Sequence, residues 1–155
     1  MTSTILEKYT NYINSIFESE SKKQAVFIII PISENTLAAT TRPNEENKIG
    51  LPGGKVDPGE ELIDAVVRES TEEGWKIDRK LVSETPIRDI LINNTHVYWF
   101  RYTGTAEELS EYKEKHRGIL PIVVTVEEIS NSGFGNEFIR NWWKENVKLL
   151  NEKNK

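Results

Sequence analysis

The sequence predicts an α/β fold in which helices are layered on a sheet, and three observations predict it. Short runs rich in Ile, Val and aromatic residues recur along the chain, at Gln24–Ile32, His96–Tyr102 and Ile119–Val126. Between and around them lie three stretches of helical periodicity, over about 4–19, 61–73 and 136–151. A glycine turn, Gly53-Gly54, leads toward the second of these stretches, and strands that alternate with helices favour stacked layers.

In the first stretch Ile5, Tyr9, Tyr12, Ile13, Ile16 and Phe17 form one apolar stripe, with Ser3 or Thr4 to cap it. Such a helix needs a surface to lie on, either its own domain or a second copy in a homodimer. Gln24–Ile32 reads as a buried strand, and Pro31 marks its end as an edge or bulge. Leu37–Thr41 reads as its partner, turned through Ser33-Glu34-Asn35. Arg42 follows, then a polar loop at 43–48 and a short strand at Ile49–Leu51.

Gly53-Gly54 let the backbone approach an ion or a phosphate closely, and Asp57-Pro58-Gly59 is a turn. The helix of about 61–73 should place Ile63, Val67 and Ser70 on the core and stop at Gly74. Leu81–Asn93 reads as one or two strands broken by Pro86, with Asn93-Asn94 as a hairpin turn. In His96–Tyr102 alternate residues face opposite ways. One of the sets Tyr98/Phe100/Tyr102 and Val97/Trp99/Arg101 therefore either packs in the core or lines a pocket where a base can stack. His96, beside the turn, reads as an exposed structural residue.

Residues 103–118 form a long charged loop with a helical turn expected over 106–114. It carries Glu107, Glu108, Glu111 and Glu114, then Lys115-His116-Arg117. After the strand at Ile119–Val126, Glu127-Glu128 begin a turn or short helix. Asn136 then caps a last amphipathic helix whose Phe138, Ile139, Trp142, Trp143, Leu149 and Leu150 share a face. Neither repeats nor low-complexity linkers interrupt the chain, so one domain is expected over 1–155.

Composition excludes several classes. The absence of cysteine rules out disulfides, thiol nucleophiles and thiolate zinc sites. Two histidines are too few for a histidine-rich metal centre. No apolar run approaches the ~20 residues that span a bilayer, and the start lacks a secretory signal, so a cytoplasmic protein is expected. A net charge of -5 argues against a general nucleic-acid surface. An acidic protein that handles phosphates must therefore neutralise them locally, with metal ions or a few placed Lys and Arg.

The chemistry lies in GGKVDPGEELIDAVVRESTEEGWKI, residues 53–77. Glu72 and Glu73 follow Glu69 by three and four residues, which makes them neighbours on one helix face. Like charges so placed repel, and three carboxylates brought together call for a hard divalent cation, Mg²⁺ or Mn²⁺. Gly54, Glu60, Arg68, Glu69, Glu72 and Glu73 also stand at the spacings of the Nudix box, and residues 54–76 resemble it. Three later points differ from that pattern. Ser70 occupies an apolar position, Trp75 stands where a second glycine belongs, and Lys76 replaces an aliphatic residue, while Gly74 comes one residue early.

The resemblance implies a fold, a mixed β-sheet sandwiched between α-helices, and an activity. That activity is metal-dependent hydrolysis of a diphosphate linkage in a nucleoside diphosphate derivative, with a (deoxy)nucleoside triphosphate as the favoured substrate. ADP-ribose, a dinucleoside polyphosphate and an RNA 5′ end are alternatives, and a non-catalytic nucleotide-binding module is the rival of a different class. Carried over by position, Glu69 and Glu73 are the metal ligands, with Glu72 a further ligand or the base that orients water. The Gly54 carbonyl completes the shell, and Arg68 with Glu60 holds the loop and helix together. The resemblance also points Arg42 at substrate phosphate, where a solvated loop arginine is the alternative, and Trp99 is the candidate for stacking on the base. A loop glutamate after the box joins such sites, and which of the four does so is left open.

Overall fold

A computed structural model describes residues 23–43, 48–132 and 136–153, with backbone alone for 136 and 148–153. The expected helix of 4–19, the dimer contact read from its stripe, the side-chain cap at Asn136 and the side chains of Leu149 and Leu150 lie outside the described residues.

The Ile/Val run forms β1 (Gln24–Ile29) at the heart of a mixed sheet. It pairs antiparallel with β4 (Gly53–Lys55) and parallel with β7 (Thr95–Arg101). The outer strand, β6 (Arg88–Ile92), returns into β7 through Asn93 and Asn94, whose φ of 48° and 65° suit a tight two-residue hairpin. A second, antiparallel sheet has the order β3 (Ile49–Gly50), β2 (Thr36–Thr41), β9 (Pro121–Thr125). A two-stranded pair joins β5 (Trp75–Lys76) to β8 (Glu107–Glu108).

Among the described residues three helices complete the layers: α1 (Leu62–Glu72), the short α2 (Val126–Ser130) and α3 (Asn136–Lys153). Period-two alternation sends β1 side chains to two cores. Val26, Ile28 and Ile30 pack with Ala65 and Val66 of α1. Ile29 lies on the other face with Ile139, Trp142 and Trp143 of α3. The sheet is thus covered on both faces, and Trp143 is pinned by donating Nε1–H to the Glu34 carbonyl at 2.7 Å. Among the described residues no helix is long and apolar enough to cross a membrane.

Four expectations need correction. Leu37–Thr41 is not the sheet partner of β1. The two meet at the Pro31–Leu37 bridge and at Ala38 N–H to the Ile30 carbonyl, and β2 then pairs with β3 and β9. Proline has no N–H to continue a ladder, so the chain leaves the sheet there. On α1 the buried residues are Ala65, Val66 and Ser70, while Ile63 and Val67 are half-buried at the edge of that core. No helical turn covers 106–114: Glu107–Glu108 pair with Trp75–Lys76, and a 3₁₀ turn follows later, at Lys113–Arg117. A helix there would have stacked four glutamates within two turns. Before Pro86, Leu81 ends a 3₁₀ turn and Val82 contributes a single bridge to Tyr102, so β6 alone forms a strand in that stretch.

Candidate active site

The glycine turn, α1 and the 3₁₀ turn of residues 113–117 enclose a charged cleft of about 510 Å³. Arg68 is its hub. Its Nε and Nη2 donate to the two oxygens of Glu60, each at 2.9 Å, and Nη2 also donates to the Lys55 carbonyl at 2.9 Å. A planar fork against a carboxylate fixes both position and angle. Because Glu60 precedes α1 and also accepts from Asp57 N–H at 3.1 Å, the fork ties the turn to the helix. Arg68 holds the Glu60 carboxyl below the ordinary carboxylate range, and Glu60 in return keeps the guanidinium firmly charged.

The remaining Arg68 nitrogen, Nη1, reaches Glu69 at 3.0 Å and Glu72 at 3.3 Å. Lys113 approaches Glu72 from the opposite side at 3.3 Å. Glu73 is the C-cap of α1 and is 3% exposed, which matters because a buried carboxylate needs partners. It accepts from Gly53 N–H at 2.9 Å and pairs with Arg42 at 3.5 Å. These partners do not offset the loss of water, and burial pushes Glu73 up to about 7. Burial raises Glu69 as well, against the pull of Arg68.

Of the four loop glutamates, Glu114 is buried and lines the cleft beside Glu69, Glu72 and Glu73, whereas Glu107, Glu108 and Glu111 are exposed. Arg117 pairs with Glu114 at 3.4 Å and lines the cleft, while Lys115 instead bonds the Ser110 carbonyl. Lys113 is a site residue that the sequence does not announce. It reaches α1 across 41 positions of chain, and no local pattern encodes such a contact.

Among the described residues no three acidic or histidine side chains converge into a closed ligand set. Arg68 stands between Glu69 and Glu72, and Glu73 is turned toward Gly53 and Arg42. The donor chemistry nevertheless fits a hard divalent cation. The oxygens belong to carboxylates that burial leaves under-neutralised. Glu69 lies directly over Gly54, where a Cβ would come within 2.5 Å of its Oε2, so only glycine leaves the space for that carboxylate. Glu69, Glu72 and Glu73 would hold the ion.

A second cavity, of about 620 Å³, adjoins the first and shares Arg42 and Gly53 with it. Its walls are mainly apolar, from Phe27 and Trp99 on the sheet to Ile129 and Ile139 on α2 and α3, with Arg42, Lys48, Asn131 and Ser132 adding polar groups. Trp99 thus stands on the face that lines a pocket, and it is also core, at 2% exposed. Gly54 opens to this cavity, while Glu60 lines neither and acts through Arg68.

Cations and under-neutralised carboxylates thus share one cleft, and a mainly apolar cavity lies beside it. A NUDIX domain model matches residues 22–144, and the chain belongs to the Nudix family, as a Nudix hydrolase. It is similar in structure to a MutT studied from Aliivibrio salmonicida and Vibrio cholerae, 20% identical with a TM-score of 0.60, over 79% of this chain and 97% of that one. A NUDIX-family hydrolase of Clostridium perfringens is 21% identical with a TM-score of 0.52, over 83% and 98% of the two chains. An ADP compounds hydrolase is 18% identical with a TM-score of 0.57, over 79% and 73%. At such identities the likeness is one of fold. No functionally curated protein matches the chain in sequence.

Proposed function

We infer that this protein hydrolyses a diphosphate linkage in a nucleoside diphosphate derivative, with a (deoxy)nucleoside triphosphate as substrate and Mg²⁺ or Mn²⁺ as cofactor. The observation that carries this reading is the pair of adjoining cavities, one charged and one apolar, joined at Arg42 and Gly53. A nucleoside fits the apolar one, and its phosphates then lie along Arg42 toward α1. MutT and an ADP compounds hydrolase among the structural neighbours support the same class.

The residues divide the work. A cation held by Glu69, Glu72 and Glu73 supplies Lewis-acid neutralisation of the diphosphate when bound. Glu72, oriented by Arg68 and Lys113, accepts a proton from the attacking water. Water oxygen adds to phosphorus as the bridging P–O bond breaks, and the departing phosphate takes up the negative charge. Arg42, Lys113 and Arg117 line the space where that charge grows. Arg68 and Glu60 keep the carboxylates in place, the supporting role on which a metal site depends.

The test is a nucleotide screen with Mg²⁺ and Mn²⁺, products resolved by chromatography. Release of a nucleoside monophosphate and pyrophosphate from a triphosphate is the expected result. Cleavage confined to ADP-ribose, a dinucleoside polyphosphate or an RNA 5′ end would move the substrate assignment. Binding without any cleavage would make the protein a nucleotide-binding module.

A further inference from the structure

The charged cleft holds its cations in two ways. Arg68 has every guanidinium nitrogen engaged, by Glu60, Glu69, Glu72 and the Lys55 carbonyl. Arg42 spends Nη1 on Glu73 and Nη2 on the Leu51 carbonyl at 3.1 Å. Lys113 and Arg117 are different. Among the described residues Lys113 donates only to Glu72, at 3.3 Å, and Arg117 only to Glu114, at 3.4 Å. An ammonium carries three N–H donors and a guanidinium five, so each keeps most of its donors free. Both line the cleft with side chains 65% and 64% exposed, so those donors are open to a ligand. Lys55 lines the cleft as well, from the glycine-turn side, and joins this network through its carbonyl.

The 3₁₀ turn that carries Lys113 and Arg117 is fixed at both ends. Before it, Leu109 N–H donates to the Gly74 carbonyl at 2.9 Å, just past α1. After it, the Thr41 hydroxyl donates to the Gly118 carbonyl at 3.1 Å and accepts from Leu120 N–H at 2.9 Å. Gly118 closes the turn at a φ of 80°, a left-handed conformation that suits glycine. The turn thus presents both cations to the cleft from an anchored frame. Their place differs from that of Arg42. Arg42 lines both cavities and pairs with Glu73, whereas Lys113 and Arg117 line the charged one alone, and Lys113 pairs with Glu72. The carboxylates of α1 therefore lie between Arg42, at the junction with the apolar cavity, and Lys113.

We propose that Lys113 and Arg117 form the subsite for the departing group and select substrates whose leaving side is phosphate alone. The inference rests on the hydrolase reading above and deepens it. With the nucleoside in the apolar cavity, Arg42 meets the phosphate nearest to it, and the phosphates beyond the bond to be cut reach the turn. Pyrophosphate leaving from a triphosphate carries anionic oxygens on both phosphorus atoms, so it offers charged acceptors to both cations at once. The leaving side of ADP-ribose is a sugar phosphate, whose hydroxyls replace the second anionic group and leave one cation without an ionic partner. Lys113 keeps its contact with Glu72 throughout, since one donor spent there leaves two for phosphate.

The experiment is calorimetric binding of inorganic pyrophosphate at saturating Mg²⁺, alongside kcat and KM for a nucleoside triphosphate and for ADP-ribose. It compares the wild type with Lys113→Met, Arg117→Met and Lys113→Arg, which keeps the charge. Lys115→Met is the control, since Lys115 bonds the Ser110 carbonyl and does not line the cleft. Lys113→Met and Arg117→Met should each weaken pyrophosphate about tenfold, the order of one hydrogen bond to a charged group. The preference for triphosphate over ADP-ribose should fall with it, while nucleoside monophosphate binding and the melting temperature hold. Lys113→Arg should recover most of the affinity, and Lys115→Met should match the wild type. If ADP-ribose is not cleaved, the pyrophosphate affinities decide alone. No pyrophosphate binding by the wild type, unchanged affinity in both methionine variants, or an equal loss in Lys115→Met would overturn the proposal. So would a fall in kcat with pyrophosphate affinity kept, because Lys113 would then act on Glu72 only. Pyrophosphate binding that needs Lys113 and Arg117, without hydrolysis of any nucleotide, would instead overturn the hydrolase reading and leave the subsite standing.

Discussion

The two cavities are neighbours built on opposite physical terms. In the charged cleft the carboxylates and cations pair with one another, and Arg68 alone engages four carboxylates, those of Asp57, Glu60, Glu69 and Glu72. In the apolar cavity the wall is mainly aromatic and aliphatic, with Arg42, Lys48, Asn131 and Ser132 as its polar members. Arg88, one strand beyond Trp99, is held by ring contacts and keeps an unpartnered N–H. The difference teaches how the chain divides its task. The charged cleft is arranged to change a phosphate bond, with carboxylates kept unstable until something neutralises them. The apolar cavity is arranged to hold a shape. Only Arg42 and Gly53 among the described residues line both, so each cavity can be altered with little effect on the other.

The comparison breaks most severely if the frame behind the charged cleft is removed. Trp75 is 2% exposed and donates Nε1–H to the Ala39 carbonyl at 3.0 Å, so it ties the exit of α1 to the second sheet. Trp75→Gly should cost about 3–5 kcal/mol in denaturant unfolding, the range for a buried large aromatic. An unchanged midpoint would show that the ring does not support the helix exit.

A pH titration of stability sharpens the contrast. The folded state raises Glu73 from 4.5 to about 7, so between those values the native metal-free protein binds more protons than the unfolded chain. Stability contributed by this group is therefore greatest below pH 4.5 and falls as pH rises to 7, by about 3 kcal/mol at ~1.4 kcal/mol per pH unit. Glu73→Gln should flatten that limb, and changes in the apolar cavity should leave it alone. Saturating metal acts on the same cleft. Mg²⁺ or Mn²⁺ at a hundred times its dissociation constant should add about 2.7 kcal/mol. The gain should vanish when Glu69, Glu72 and Glu73 are all changed to Gln, as read by melting temperature.

The smallest effect is expected at Ser70, fully buried with an unpartnered hydroxyl on the core side of α1. Ser70→Ala removes that hydroxyl without opening a large cavity and should raise stability by less than about 1 kcal/mol. A loss of about 2 kcal/mol or more would mean that the hydroxyl has a partner.

Much of this was legible in the sequence because it is local. The i, i+3, i+4 spacing of Glu69, Glu72 and Glu73, the Glu60–Arg68 pair and the stop at Gly74 all lie within one loop and one helix. The alternation of the aromatic strand likewise separated Trp99 from Tyr98 and Phe100, and left open which set meets the pocket. What was not legible depends on distant chain meeting distant chain. The choice of Glu114 among four glutamates, the approach of Lys113 and the pairing of β2 with β9 are set by tertiary packing. Ser70 and Trp75 looked like faults in a motif. Trp75 is a buried strut bonded to the neighbouring sheet, and Ser70 is small enough for the close contact of α1 with its core.

The division of labour between the cavities is tested most directly by Glu73→Gln, with turnover, nucleotide affinity and metal-free melting temperature read on the same preparations. Gln keeps an acceptor for Gly53 N–H, removes a buried charge and leaves the apolar cavity untouched. Turnover should fall by at least ~10²-fold, the lower bound for losing a group that acts on the reacting centre. Binding of the nucleoside monophosphate should be retained, and the melting temperature above pH 7 should hold or rise. A variant that cleaves its diphosphate substrate as fast as the wild type would contradict the account, because the chemistry would then lie outside the charged cleft.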